Sequence, residues 1–307
     1  MKHAPTAQGQ EDARKGLTAA LIAFLIWGVL PLYLRALADV TPVEIMVQRS
    51  VWCCVFVCGY LAFHGKLGEV KQALVNPGTR YRLIATAALI TVNWYVYIWG
   101  VNNHQVLETS LGYFINPLVN VLLGVAILRE RLSGAQWTAV ALATLGVTYL
   151  SATSGHPPWI ALALAFSFGF YGLIRKVIPV EPVTGRAAET LILLPFGLAY
   201  LIVEFKAGRS AMGHAALSTQ LLLFAGGAIT AVPLAAFAYG ARLIRYSTIG
   251  ILQYVSPTMQ FFLGVLLYHE PFAGQRVIGF ACIWVGLVIY AGDGLWRSRK
   301  LAVIATR

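Results

Sequence analysis

Three polar side chains recur along one apolar stretch: Tyr113, Asn116 and Asn120 stand at i, i+3 and i+7, the spacing of a single helix face. A second apolar stretch repeats the pattern with Gln253, Ser256 and Gln260, each 140 residues further on. Amides and hydroxyls are costly against hydrocarbon, so both stripes should face protein or a wet cavity. Two roles fit them. Converging at mid-membrane, they would recognise a small polar solute; packed on neighbouring helices, they would tie those helices together. Pro117 and Pro257 accompany the stripes at matching positions, where a mid-helix proline removes a backbone hydrogen bond and kinks the helix. Matching interruptions in two halves point to a binding site, and the prolines are helix-break or gating candidates. Gly124 and Gly264, which follow them, would permit close packing or bending.

Other stretches offer aromatic surface. Asn93, Trp94 and Tyr97 lie together, Trp27 and Tyr33 lie near the N-terminus, and Phe168 and Tyr171 lie in the second half. Together they would suit a planar or amphipathic solute, although aromatics in such a chain also serve packing and interfacial belts. Arg49 sits inside an apolar run. A central arginine costs about 2.5–3.5 kcal/mol to insert, so it requires a partner. Candidates are Glu44, Glu108, a helix carbonyl end or a substrate carboxylate. Glu189 is also inside an apolar run, as a protonatable candidate, and Glu130 and Glu270 form a pair at the repeat offset. No phosphate-binding glycine loop, metal-ligand cluster or nucleophile motif is present. The sequence therefore predicts no cofactor, no metal and no ATP site.

These residues must be positioned by long apolar elements. Of 307 residues, 58% are hydrophobic and 11% charged, against roughly 25% charged in ordinary soluble domains. The composition predicts an all-α integral membrane protein whose main partners are the lipid bilayer and a small molecule. The net charge of +11 does not argue for nucleic acid, because the basic residues fall in short patches between apolar runs. Cys53, Cys54, Cys58 and Cys282 all lie inside such runs and read as small core residues.

Ten stretches approach the roughly 20 residues a spanning helix needs: 17–38, 43–63, 81–102, 106–128, 135–151, 158–177, 184–204, 219–240, 246–268 and 273–293. With the N-terminus inside, 18 of the 23 basic residues become cytoplasmic, among them Arg175, Lys176 and Arg186, while Arg35, Lys206, Arg209 and Arg276 lie outside. That bias predicts cytoplasmic termini, residues 1–16 and 294–307. The offset of 140 also relates Gly100 to Gly240, Gly134 to Gly274 and Gly146 to Gly286. Five spans per repeat is an odd number, so the second repeat would enter the membrane the other way up. Inverted repeats supply two similar gates around one midplane site.

The run Val101-Asn102-Asn103-His104, continued by Glu108 to Asn120, resembles the RarD branch of the EamA family in the drug/metabolite transporter superfamily. Trp27-Gly28, the run Ala165 to Gly172, and Gln253 to Thr258 are similar to it as well. The resemblance covers residues 17 to about 293. It implies ten helices in two EamA repeats, 17–151 and 158–293, and export of small molecules across the bacterial inner membrane. It implies that Arg49 and the paired Glu130 and Glu270 match family positions, the glutamates in a gating or capping role. Amino acids, including aromatic ones, and drugs are the solute classes of such exporters. The competing readings are a non-transporting scaffold and a membrane enzyme, the latter needing clustered acidic or histidine side chains at one face. A monomer is expected.

Overall fold

Two of the described helices start where the sequence puts proline behind a capping side chain. Thr41 precedes Pro42 and accepts a hydrogen bond from the Glu44 amide at 3.3 Å, and Asn76 precedes Pro77 and accepts from Thr79 at 3.2 Å. Proline suits the first helical position because its missing N–H would have no helical partner there. A computed structural model describes residues 7–128, 132–154, 157–244 and 252–304, and the regular elements among them are all helices. In order they form α1 (Ala7–Gly28), α2 (Leu30–Arg35), α3 (Pro42–Phe63), α4 (Leu67–Val75), α5 (Pro77–Asn102), α6 (Val106–Leu128), α7 (Gly134–Ser154), α8 (Trp159–Val177), α9 (Pro182–Lys206), α10 (Leu217–Leu243), α11 (Val255–Phe262) and α12 (Gln275–Ile304).

Each apolar stretch read from the sequence holds a helix. Among the described residues, seven helices are long and apolar enough to cross a membrane, with shorter apolar helices at Trp159–Arg175 and Val255–Leu267. The polar side chains Gln136, Thr138, Thr144 and Ser151 dilute α7. The chain is thus a multi-pass membrane protein. A short amphipathic helix, α4, occupies the segment between the second and third stretches.

Proline explains one irregularity and corrects one expectation. Pro31 has no N–H for the Trp27 carbonyl four residues back, and α1 stops at Gly28. That carbonyl instead accepts Gln260 Nε2 at 3.0 Å, and the Phe24 carbonyl accepts Ser256 Oγ at 2.6 Å. Pro117 is inside α6 as expected, but Pro257 is in the first turn of α11, not mid-helix. A turn at Gln253 and Tyr254 precedes it, so this proline removes no interior hydrogen bond. Pro195 and Pro233 are also inside helices, in α9 and α10. Hence matched mid-helix prolines do not distinguish the two stripes.

α11 closes in a π turn, Leu263–Leu267, that brings Glu270 back onto α6. Its Oε1 accepts from Val106 N at 2.7 Å and its Oε2 from Leu107 N at 2.8 Å. Two orphan donors at a helix N-terminus are thereby satisfied by a negative charge. Burial pushes the Glu270 carboxyl above the ordinary carboxylate range, and the two amides pull it back down. Glu130, its counterpart, lies outside the described residues.

Helix packing repeats at the same offset as the sequence. α1 packs on α10 and α11, and α8 packs correspondingly on α5 and α6; α3 meets α9, and α7 meets α12. The glycines show how close the correspondence is. A Cβ on Gly146 would stand 2.7 Å from the Gly279 carbonyl oxygen, and one on Gly286 would stand 2.8 Å from that of Ala139. Residues 139 and 279, like 146 and 286, are 140 apart. Likewise Gly100 lies against Ile160 and Gly240 against Ala20. Since 139 faces 286 and 146 faces 279, α7 and α12 run antiparallel. A two-fold axis that exchanges antiparallel helices is perpendicular to them.

Candidate functional site

Five helices bring a cationic and aromatic cluster together where the two halves meet. α3 supplies Arg49, α5 Trp94 and Tyr97, α6 Tyr113, α9 Arg186 and Glu189, and α10 Thr230. Both guanidiniums lie over the Trp94 ring, Arg49 at 5.1 Å and Arg186 at 5.3 Å from its centroid. Tyr97 and Tyr113 meet edge to face at 5.6 Å, and both lie within electrostatic reach of Arg49. Gly226 lets α10 approach: a Cβ there would fall 2.8 Å from Arg49 Cγ and against the Tyr33 hydroxyl.

Arg49 is oriented by one hydroxyl. Thr230 Oγ1 donates to the Gly226 carbonyl at 2.8 Å and accepts from Arg49 Nε and Nη2 at 3.3 and 3.2 Å. Arg49 Nη1 is buried with no hydrogen-bond partner, as is the Tyr97 hydroxyl. Neither acid read from the sequence pairs with this arginine. Glu44 accepts from Ser210 Oγ at 2.7 Å and Ala211 N at 2.9 Å, and Glu108 accepts from Ile160 N at 3.0 Å. Each of those carboxylates satisfies backbone amides at a chain turn or helix start, so the expected pairing of Arg49 with Glu108 or Glu44 is corrected. Among the described residues no carboxylate lies within 4.0 Å of Arg49 nitrogens.

Arg186 is in the opposite situation. Its Nη1 lies 3.1 Å from Glu189 Oε2, and its Nη2 donates to the Tyr171 hydroxyl at 3.2 Å. Tyr171 in turn donates to Glu189 at 3.4 Å, and Arg175 Nη1 stands 3.9 Å from the other carboxylate oxygen. Arg49 and Glu189 are 140 residues apart, so the repeat puts a cation and an anion at equivalent positions. With Arg175 and Tyr171 of α8 added as a sixth helix, three arginines and one glutamate leave the cluster with excess positive charge. The cluster is closed: Arg49 is 4% exposed, Arg186 8% and Glu189 0%.

The other candidates distribute unevenly. Asn93 Nδ2 donates to the Leu164 carbonyl and to Ser167 Oγ, both at 3.0 Å, which ties α5 to α8. Ser256 and Gln260 bond to α1 carbonyls, as described, so they act as interhelical ties. Gln253 is half-buried in the turn before α11, and Asn120 is exposed beside Gly169. Asn116 is buried with its Oδ1 unpartnered. Trp27 joins Phe24 and Phe237, with centroids 5.5 and 5.9 Å away. Gly264 packs on Leu107, and Gly124 lies within α6. Arg186, which charge counting groups with a cytoplasmic patch, is buried near the start of α9 against Glu189. Its i, i+3 spacing from Glu189 inside a span was the available signal.

Two grooves lie elsewhere. One of about 440 Å³ runs between α4 and α9 beside Lys71 and Arg80. Another, of about 390 Å³, is walled by Phe114, Phe261 and Trp284.

Residues 14–152 match the EamA-like transporter family. The chain is 44% identical to protein RarD of Salmonella typhi over 94% of this chain and 99% of that protein. It is a RarD-like member of the EamA family. This RarD-like chain is also 43% identical to an uncharacterized transporter of Pseudomonas aeruginosa, over 94% of this chain and 97% of that one. Against the chloramphenicol-sensitive protein RarD of the same organism, identity is 30% over 94% of this chain and 97% of that protein. A protein crystal structure superposes on the RarD-like chain with a TM-score of 0.58 at 19% identity, covering 93% of this chain and 98% of that one. That likeness concerns the fold alone.

Proposed function

We propose that this RarD-like protein is a secondary transporter that exports small metabolites, aromatic or amphipathic amino acids, or drugs, by alternating access. In this reading ten spans form two inverted five-helix repeats, 17–151 and 158–293, in the bacterial inner membrane with both termini cytoplasmic. The observation that carries it is the closed cluster of Arg49, Trp94 and Arg186 at the junction of two pseudo-symmetric halves. A scaffold gains nothing from burying an uncompensated cation. A transporter does, because its solute satisfies that cation only when bound. The reciprocal glycine contacts of α7 and α12 support an axis in the membrane plane. Exchange of conformations between the halves would then open the cluster to each side in turn.

Accessibility from both faces tests this. In a variant with Cys53, Cys54, Cys58 and Cys282 replaced, single cysteines at Tyr113 and Asn116 are placed in uniformly oriented proteoliposomes. A membrane-impermeant thiol reagent is expected to modify each from either face. Modification from one face only, or from neither, would contradict alternating access.

A further inference from the structure

Among the described residues, Arg49 is a buried cation with no carboxylate within 4.0 Å. Arg175 and Arg186 share Glu189, whereas Arg49 has one threonine oxygen and the face of Trp94. A ring face attracts a cation but does not neutralise its charge, and a charge inside a membrane span is costly unless it is paired. Besides Arg175 Nη1 and Glu189 Oε1, which face each other, the cluster leaves Arg49 Nη1 and the Tyr97 hydroxyl unpartnered, and both can donate. Two unpartnered donors at a guanidinium with no carboxylate beside it call for a bound anion. The rings of Trp94 and Tyr113 supply flat apolar walls next to it.

We infer that the solute recognised here is an organic carboxylate with an aromatic body, its carboxylate held by Arg49 Nη1 and the Tyr97 hydroxyl. The inference rests on the cluster being the transport site, and it narrows the substrate class from any small metabolite to an anion. Glu189, at the position equivalent to Arg49, already serves the second arginine as an internal carboxylate. One side chain thus shows how the fold neutralises a guanidinium here, and the other awaits an external group.

Two probes of nearly equal shape test the charge. Binding of indole-3-acetate and of its uncharged amide to the purified full-length protein is measured by calorimetry. The acid is expected to bind at least tenfold more tightly than the amide. Arg49→Gln should abolish that preference, and Tyr97→Phe should weaken acid binding several-fold and amide binding less, because the amide keeps only a neutral carbonyl acceptor. Because Arg49 is uncompensated, the Arg49→Gln protein should melt at or above the wild-type temperature when no ligand is bound, whereas a structural ion pair would make it melt lower. If Arg49→Gln does not fold, Tyr97→Phe still carries the test. Equal affinity for acid and amide, preference for the amide, or binding of neither would overturn the inference. Tight acid binding without flux of any solute would instead overturn the transport reading and leave the anion site standing.

Discussion

Glu189→Leu is expected to be among the most damaging single changes in the protein. Its carboxylate is fully buried and holds Arg186 at 3.1 Å and Arg175 at 3.9 Å. Deleting one member of a buried ion pair costs about 3–5 kcal/mol, because the remaining charge is stranded in low dielectric. Two arginines would be stranded here. The leucine variant should lose its monodisperse elution peak in mild detergent and melt well below wild type. Glu189→Gln keeps an oxygen for Tyr171 and Arg186, so its loss should be smaller. A leucine variant as stable as the wild type would mean that Arg175 and Arg186 are neutralised in some other way.

Gly146→Val and Gly286→Val are expected to fail in the same way and to a similar degree. Each Cβ would fall within 2.8 Å of a carbonyl oxygen on the facing helix, and backbone cannot rotate aside as a side chain can. Overpacking of this kind costs about 1–3 kcal/mol or more, and close approach through small residues is a main attraction between membrane helices. α7 and α12 should therefore separate in either variant. Gly172→Ala, in α8, is the control: nothing lies within 4 Å of its Cβ position, so it should be neutral or stabilise by up to about 1 kcal/mol. Thermal unfolding of the three purified variants reads the difference. Unequal losses for Gly146→Val and Gly286→Val would weaken the pseudo-symmetry, and no loss in either would contradict the packing.

Period and hydropathy made the elements legible, since apolar length alone marks a helix in lipid. The reciprocal contacts of α7 and α12 fall at the same 140-residue offset as the sequence repeat. The rotation of each helix was not legible. Ser256 and Gln260 fitted either a solute site or an interhelical tie by sequence, and they satisfy α1 carbonyls, one of them freed by Pro31. That bond depends on a proline more than 220 residues away in sequence, which no local pattern contains. Arg49 was visible as an unusual residue because insertion energetics single out a buried charge. Its relation to Trp94 and Thr230 was not visible, because three helices distant in sequence must converge to create it. The partner of Arg186 was hidden for a related reason: charge counting treats a residue near a helix end as topogenic and does not ask where its side chain goes, which here is to Glu189.

Solute flux tests the central claim most directly. Purified protein in proteoliposomes, preloaded with a panel of aromatic amino acids, aromatic carboxylates and chloramphenicol, is assayed for counterflow of radiolabelled solute without ATP. Transient accumulation of at least one solute is expected with the wild type and should be sharply reduced by Trp94→Ala. Folded, monodisperse wild-type protein that moves no member of the panel, with or without a proton or sodium gradient, would contradict the account.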